Sequence, residues 1–153
     1  MSTYIHGIEI DEELHRQCIN KLNNVTNRFG FDGVEWDIVC GDTLTINKYD
    51  GNMDFVIGNP PYQKVHDFGD RKDFYKSFNF IDKGMADLYI IFFEIGFNML
   101  KSNGRMVYIT PSSWTTSIAG TKLREYIIEK SKHLLRQYFG NECIDEIKKR
   151  IGL

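Results

Sequence analysis

The sequence predicts an α/β fold with a mostly parallel β-sheet, and three observations support this prediction. Segments that suit strands alternate along the chain with segments whose apolar residues recur at helical spacing. Residues 53–57 form a short apolar run that suits a central strand buried on both faces. Glu9, Asp42 and Asn59 each follow a predicted strand. Because ligands of parallel sheets bind beyond the carboxyl ends of the strands, these residues are the first candidates for a binding site.

The first half of the chain is predicted to contain three strands and one helix. A strand at residues 4–10 ends in acidic residues, and a helix at residues 12–25 has apolar residues at three- and four-residue intervals. Gly30 and Gly33 predict a turn before the second strand at residues 36–40. That strand ends at Gly41-Asp42, and the third strand covers residues 53–57.

The second half is predicted to continue with a helix at residues 86–101, which ends at the turn signal Asn103-Gly104. A strand at residues 105–110 ends at Pro111, residues 119–132 are helical, residues 134–139 form a further strand, and the charged segment from residue 144 is helical. Residues 63–84 break the alternation, because they mix charged and aromatic side chains without a clear period. They suit a solvated surface loop and a substrate-facing loop equally well.

The composition is that of a soluble globular domain, with 153 residues of which 42% are hydrophobic and 26% charged. The formal net charge is −2. A domain that binds duplex DNA by itself usually carries an excess of Lys and Arg. If DNA is the substrate, much of the electrostatic attraction has to come from another part of the enzyme.

The three cysteines, Cys18, Cys40 and Cys143, are far apart and lack a Cys-x-x-Cys spacing. Neither a disulfide framework nor a metal site is therefore predicted, and each cysteine is expected to be buried as a small hydrophobe. The N-terminus lacks the layout of a signal peptide, and the most apolar stretch, residues 88–100, is too short to span a bilayer. The expected location is the cytoplasm, without membrane attachment.

The tetrapeptide Asn59-Pro60-Pro61-Tyr62 carries the chemistry. The two prolines fix two φ angles and remove two backbone donors, so they predict a stiff turn that holds Asn59 extended. The turn presents a carboxamide, the free carbonyl of Pro60 and an aromatic ring. Two acceptors placed on the hydrogens of a conjugated amine would localise its lone pair, and they would stabilise the positive charge that develops when nitrogen attacks a methyl group. The ring of Tyr62 offers a face on which a planar group can stack.

With these residues, the chain resembles the catalytic domain of DNA adenine-N6 methyltransferases, in particular restriction-modification enzymes of the Eco57I and TaqI kind. The resemblance covers residues 4–128 and depends on several motifs in a fixed order. Besides Asn-Pro-Pro-Tyr, residues 7–11 resemble the second family motif, residues 41–44 the third, residues 87–94 the fifth and residues 104–111 the strand that follows it.

The resemblance implies a Rossmann-like methyltransferase fold, DNA as substrate and S-adenosylmethionine as cofactor. In the family, the acidic residue of the second motif binds the cofactor ribose, and the Asp of the third accepts from the cofactor's adenine amino group. Two apolar residues of the fifth motif sandwich that adenine. The resemblance thus implies catalytic roles for Asn59, Pro60 and Tyr62, and cofactor contacts from Glu9, Ile10, Asp42, Thr43, Pro61, Leu88 and Phe92.

Two family features have no counterpart among residues 1–153. These are the glycine-rich first motif, which holds the methionine part of the cofactor, and the target-recognition domain. The chain is therefore expected to be a partial catalytic domain, incomplete at both ends. It is expected to be a gene fragment, one subunit of a split enzyme or the product of a truncated open reading frame. A second chain that supplies the missing parts is expected, as is self-association through an open sheet edge.

Other interpretations stay open at this point. Glutamine methyltransferases that act on release factors and some guanine methyltransferases that act on ribosomal RNA also use Asn-Pro-Pro-Tyr. The sequence Asp-Leu-Tyr-x-x-Phe and the segment Ser112-Ser113-Trp114 favour the DNA adenine group. A non-catalytic remnant or partner subunit is the alternative from a different class. An adjacent reading frame that encodes a glycine-rich loop would favour a split enzyme.

Overall fold

The structure, a computed structural model, describes residues 5–64, 72–81, 87–139 and 141–150. Within these ranges the side chains of residues 72–73, 131–139 and 141–144 are not described. The chain divides into two compact units, Met1–Lys48 and Tyr49–Leu153. Among the described residues, no helix is both long enough and apolar enough to cross a membrane.

The first unit is a strand–helix–strand motif. Strand β1 (His6–Glu9) pairs in parallel with β2 (Asp37–Cys40), and helix α1 (Glu12–Arg28) connects them. Asp11 begins α1, because its side chain accepts a hydrogen bond of 2.8 Å from the Leu14 backbone N–H. Parallel strands need such a crossover connection. The carboxyl ends of β1 and β2 therefore lie next to each other, with Glu9 opposite Cys40.

The second unit contains the remaining elements. Strand β3 (Met53–Gly58) is followed by the short helix α2 (Lys72–Tyr75) and the apolar helix α3 (Leu88–Met99). Strand β4 (Leu100–Tyr108) pairs in parallel with β3, from Phe55 opposite Arg105 to Gly58 opposite Tyr108. Two short 3₁₀ turns, Ser112–Thr115 and Ile118–Gly120, lead into α4 (Thr121–Phe139) and α5 (Asn141–Arg150).

The core of the second unit lies around α3. Ile90 and Ile91 are fully buried, and an aromatic cluster that includes Phe93 packs beside them. Gly96 lets α3 approach β4 closely, since a Cβ atom at this position would lie 2.6 Å from the Met106 sulfur and from the Tyr108 hydroxyl. Except for Glu94 and Asn98, the residues of α3 are apolar or glycine, apart from the hydroxyl of Tyr89, and most of the helix is buried.

The predicted alternation of strands and helices, with parallel strands, is confirmed. The described strands pair as two separate two-stranded sheets, β1 with β2 and β3 with β4, instead of the single larger sheet that was predicted. The charged segment from residue 144 is helical, as predicted, and lies in α5. Within the predicted loop at residues 63–84, residues 65–71 and 82–84 lie outside the described ranges.

Two predicted boundaries are wrong. Residues 134–139 were predicted as a strand and instead continue α4, because extending an existing helix adds a hydrogen bond per residue without a new nucleation step. Asn103-Gly104 was predicted to end a helix and instead lies inside β4. A Cβ atom on Gly104 would lie 3.0 Å from the Met53 carbonyl oxygen, next to a register shift between β3 and β4. This glycine therefore permits close backbone approach at an irregular strand pair.

Strand β3 is not buried on both faces, contrary to the prediction. Phe55 is 62% exposed and Ile57 76%, while Val107 and Ile109 beside them are 58% and 69% exposed. The reason is that α3 packs against the opposite face, on the side of Met106 and Tyr108. We call the side formed by Phe55, Ile57, Val107 and Ile109 the uncovered face.

The prediction that all three cysteines are buried is also wrong. Cys18 is partly buried in α1, whereas Cys40 is exposed as the last residue of β2. Cys40 is exposed because it ends a short strand just before the turn at Gly41. The side chain of Cys143 lies outside the described part of the structure.

Candidate amine and cofactor sites

The Asn59-Pro60-Pro61-Tyr62 corner begins directly after β3. Pro60 is buried and fixes the turn, while Asn59, Pro61 and Tyr62 are exposed. The pairing with the neighbouring strand continues to this point, because the Ile109 N–H donates to the Gly58 carbonyl over 3.1 Å. The corner therefore lies at the carboxyl ends of two parallel strands, as the sequence predicted.

The hydroxyl of Tyr62 lies between two acceptors. It donates to Asn59 Oδ1, and it lies 3.1 Å from the carbonyl oxygen of Ile109. A phenol has a single hydrogen, so the two oxygens compete for one donor. The contact brings the carboxamide of Asn59 and the backbone carbonyl of Ile109 to one place, and both are acceptors suited to the hydrogens of an amine.

The ring of Tyr62 packs against a buried tyrosine, Tyr89. Tyr89, in the first turn of α3, meets it edge to face with ring centroids 6.3 Å apart and an interplanar angle of 84°. The Tyr89 hydroxyl lies 3.0 Å from Ser113 Oγ. Burial raises the pKa of Tyr89 above its ordinary value. Tyr62 itself is half exposed and can offer ring surface to a planar ligand.

The start of α3 is attached to the corner through the backbone. The Leu88 N–H donates to the Gln63 carbonyl over 2.7 Å, and Lys64 forms an antiparallel bridge with Asp87. Leu88 is buried and Phe92, one turn later, is partly exposed. Their predicted contact with a cofactor adenine stays a prediction.

Farther along α3, the Tyr108 hydroxyl donates to the Phe92 carbonyl over 3.3 Å. Burial raises the pKa of Tyr108 to about 12. The hydroxyl is therefore neutral and can act as a donor throughout the physiological range.

The other predicted cofactor residues lie in the first unit, at the ends of β1 and β2. The Gly41 N–H donates to the Glu9 carbonyl over 2.8 Å, so the residues after both strands are neighbours. Glu9 Oε1 accepts from the Asp11 N–H over 3.0 Å. Asp42 Oδ1 accepts from the Leu44 N–H over 3.0 Å, which fixes the turn that contains Thr43. Ile10 is exposed beside Glu9.

The predicted site residues thus form one group in each unit. The first unit brings together Glu9, Ile10, Asp42 and Thr43, and the second brings together Asn59, Pro60, Pro61, Tyr62 and the start of α3 with Leu88. No group of His, Cys, Asp and Glu suited to a metal ion occurs among the described residues.

Sequence reasoning missed three contributors to the second group: Tyr89, Ser113 as its hydroxyl partner, and the carbonyl of Ile109. Tyr89 and Ser113 were noticed only as parts of longer motifs. A backbone carbonyl has no sequence signal at all.

Comparisons with known proteins show which family the chain resembles. Residues 4–144 match the model of the family described as Eco57I restriction-modification methylase. The chain is 40% identical over 106 residues to the Type II methyltransferase M.AccI of Acinetobacter calcoaceticus. The matched segment covers 65% of this chain and 19% of that protein. It is 29% identical over 143 residues to the Type II methyltransferase M.BstVI of Geobacillus stearothermophilus. That match covers 84% of this chain and 25% of that protein.

A third relative is the adenine-specific methyltransferase BrxX of Escherichia coli O9:H4 (strain HS). It is 28% identical over 95 residues, which cover 61% of this chain and 8% of that protein. The chain therefore spans a quarter or less of the length of these three curated relatives.

Proposed function

Because this chain belongs to the Eco57I restriction-modification methylase family, we propose that it forms the amine- and cofactor-binding core of a DNA adenine-N6 methyltransferase. The observation that carries the proposal is the corner after β3, where Asn59 Oδ1 and the Ile109 carbonyl both contact the hydroxyl of Tyr62. The names of the relatives support the reaction class, and the name of BrxX supports adenine as the target.

The corner is suited to activate an exocyclic amine. Its two hydrogens would be accepted by Asn59 Oδ1 and the Pro60 carbonyl, which favours a pyramidal nitrogen with a localised lone pair. Both hydrogen bonds strengthen as positive charge grows on nitrogen, so they stabilise the transition state more than the ground state. The half-exposed ring of Tyr62 would stack on the adenine after it leaves the duplex.

The residues of the first unit fit S-adenosylmethionine in their chemistry. The ribose hydroxyls and the adenine amino group of this cofactor are donors, and Glu9 and Asp42 are acceptors that lie at adjacent strand ends. Ile10 and Thr43 beside them would add apolar contacts. In the second unit, Pro61, Leu88 and Phe92 are proposed as cofactor contacts. When bound, the cofactor would supply a methyl group activated on a sulfonium.

We also propose that a further polypeptide segment covers the uncovered face and supplies the glycine-rich loop and much of the DNA affinity. The covering of this face is supported by its four large apolar side chains, each of which is more than half exposed. Parallel strands are normally covered on both faces. The net charge of −2 supports a separate source of DNA affinity. A second copy of this chain could cover the same face by self-association.

The proposed function is tested by methyl transfer from labelled S-adenosylmethionine. The chain, together with the segment that completes it, is incubated with DNA, with ribosomal RNA and with release-factor protein, and each product is hydrolysed and separated. The proposal expects N6-methyladenine in the DNA fraction. Label on glutamine or on guanine would identify one of the alternative amine substrates, and absence of transfer with bound cofactor would favour a non-catalytic subunit.

A further inference from the structure

Tyr62 makes a contact that its predicted stacking role does not require. Half of its surface is exposed, so stacking on a planar ligand needs only the ring. The hydroxyl nevertheless donates to Asn59 Oδ1 and lies 3.1 Å from the Ile109 carbonyl. Asn59 Oδ1 is the oxygen assigned above to the substrate amine, and in this structure it already has a donor.

We propose that the Tyr62 hydroxyl is a cap on Asn59 that a substrate N–H must displace. The proposal rests on the proposed function for the identity of the substrate, an adenine amino group. The capped state keeps the carboxamide of Asn59 in a fixed orientation before substrate arrives. Binding then exchanges the O–H donor of Tyr62 for an N–H donor of the substrate.

The second acceptor, the Ile109 carbonyl, limits the free-energy cost of exchanging the Tyr62 O–H for a substrate N–H at Asn59. When the substrate takes Asn59 Oδ1, the Tyr62 hydroxyl still has the Ile109 carbonyl within hydrogen-bond distance, so its donor is not left unsatisfied. The ring can keep its place, because the edge-to-face contact with Tyr89 does not involve the hydroxyl of Tyr62. Because the Ile109 contact is present already in the capped state, displacement loses one neutral hydrogen bond to Asn59 without leaving a donor unsatisfied.

The cap would also contribute to selectivity. A ligand that presents a carbonyl oxygen in place of the amino group cannot donate to Asn59, so it would not displace the hydroxyl and would face acceptor oxygens. Sites built around directional hydrogen bonds reject analogues that lack the matching group. Adenosine and inosine differ in this way, since inosine carries an oxygen where adenosine carries the amino group.

The test compares the full chain with its Tyr62→Phe variant, which removes the hydroxyl and keeps the ring. Equilibrium binding of adenosine and of inosine is measured for both proteins with the cofactor site saturated by S-adenosylhomocysteine. Removing a competing neutral hydrogen bond should tighten adenosine binding by about two- to tenfold and leave inosine binding unchanged. Tyr126→Phe is the matched control, because Tyr126 lies in α4 and packs on Phe80 and Phe97, and adenosine binding should stay as in the unaltered chain.

A second measurement reads the cap without any ligand. The side-chain amide resonances of Asn59 in the ¹⁵N-labelled chain should shift in Tyr62→Phe and stay in place in Tyr126→Phe. Unchanged Asn59 resonances in Tyr62→Phe would overturn the cap, as would adenosine binding that exceeds inosine binding but is not tightened in Tyr62→Phe. If both proteins bound adenosine no better than inosine while the Asn59 resonances shifted, the cap would stand and the proposed amine site would fail.

Discussion

Replacing Glu94 by glutamine is expected to lower the free energy of unfolding by about 2 kcal/mol. Glu94 lies in α3 and is only 8% exposed. Its Oε1 accepts from the backbone N–H of Asn79 over 3.0 Å and from Asn79 Nδ2 over 2.8 Å, while its Oε2 accepts from the Phe80 N–H over 2.9 Å. A glutamine has only one acceptor oxygen. Its NH₂ group therefore takes the place of one carboxylate oxygen and faces the N–H donors of either Asn79 or Phe80. A buried donor left without an acceptor costs about 1–3 kcal/mol.

The assay is urea denaturation of the chain, with Glu125→Gln as the matched control. Glu125 is exposed in α4, so its replacement should change the free energy of unfolding by less than about 0.5 kcal/mol. Amide hydrogen exchange at Asn79 and Phe80 should become faster in Glu94→Gln, because these N–H groups lose their carboxylate. A loss below about 0.5 kcal/mol with unchanged exchange would refute the reasoning.

Three further predictions concern pH, association and the cofactor. Because burial raises the pKa of Tyr108 to about 12 from 10.0, the unfolded state loses this proton first as pH rises, so the free energy of unfolding should fall by about 2–3 kcal/mol between pH 10 and 12. Tyr108→Phe should flatten that slope in denaturation curves, and an unchanged slope would contradict the assignment. The double variant Ile57→Thr, Val107→Thr should self-associate less than the unaltered chain in sedimentation velocity, without loss of stability. If the unaltered chain is monomeric at high concentration, the uncovered face does not mediate self-association. S-adenosylmethionine should bind the chain weakly in calorimetry, and Glu9→Ala or Asp42→Ala should weaken it by about tenfold or more. If the chain bound S-adenosylmethionine tightly and neither Glu9→Ala nor Asp42→Ala weakened the binding, Glu9 and Asp42 would not contact the cofactor.

Local signals predicted the parts of the fold whose cause is local. The apolar spacing predicted a helix from residue 12, and in the structure the Asp11 side chain caps this helix by accepting from the Leu14 N–H. The prolines after β3 predicted a fixed corner with Asn59 exposed at a strand end, and the structure has this corner. In both cases the residues that determine the structure are within a few positions of each other.

Contacts between distant segments could not be predicted in the same way. The exposure of Phe55 and Ile57 depends on which elements pack against β3, and an apolar run carries no information on that point. Gly104 looks like a helix stop until the backbone of Met53 is placed beside it. The contact of Tyr62 with Ile109 joins residues 47 positions apart, and one of its two partners is a backbone carbonyl.

The most direct test of the central claim is the single-turnover rate of methyl transfer to DNA adenine by Asn59→Ala, in the enzyme with any further segment it requires. Asn103→Ala, an exposed asparagine in β4 on the same unit, is the matched control. If Asn59 binds the amine as charge develops, Asn59→Ala should be slower by about 10²–10³-fold with nearly unchanged cofactor affinity, while Asn103→Ala keeps its rate. A near-normal rate for Asn59→Ala would contradict the account of the amine site.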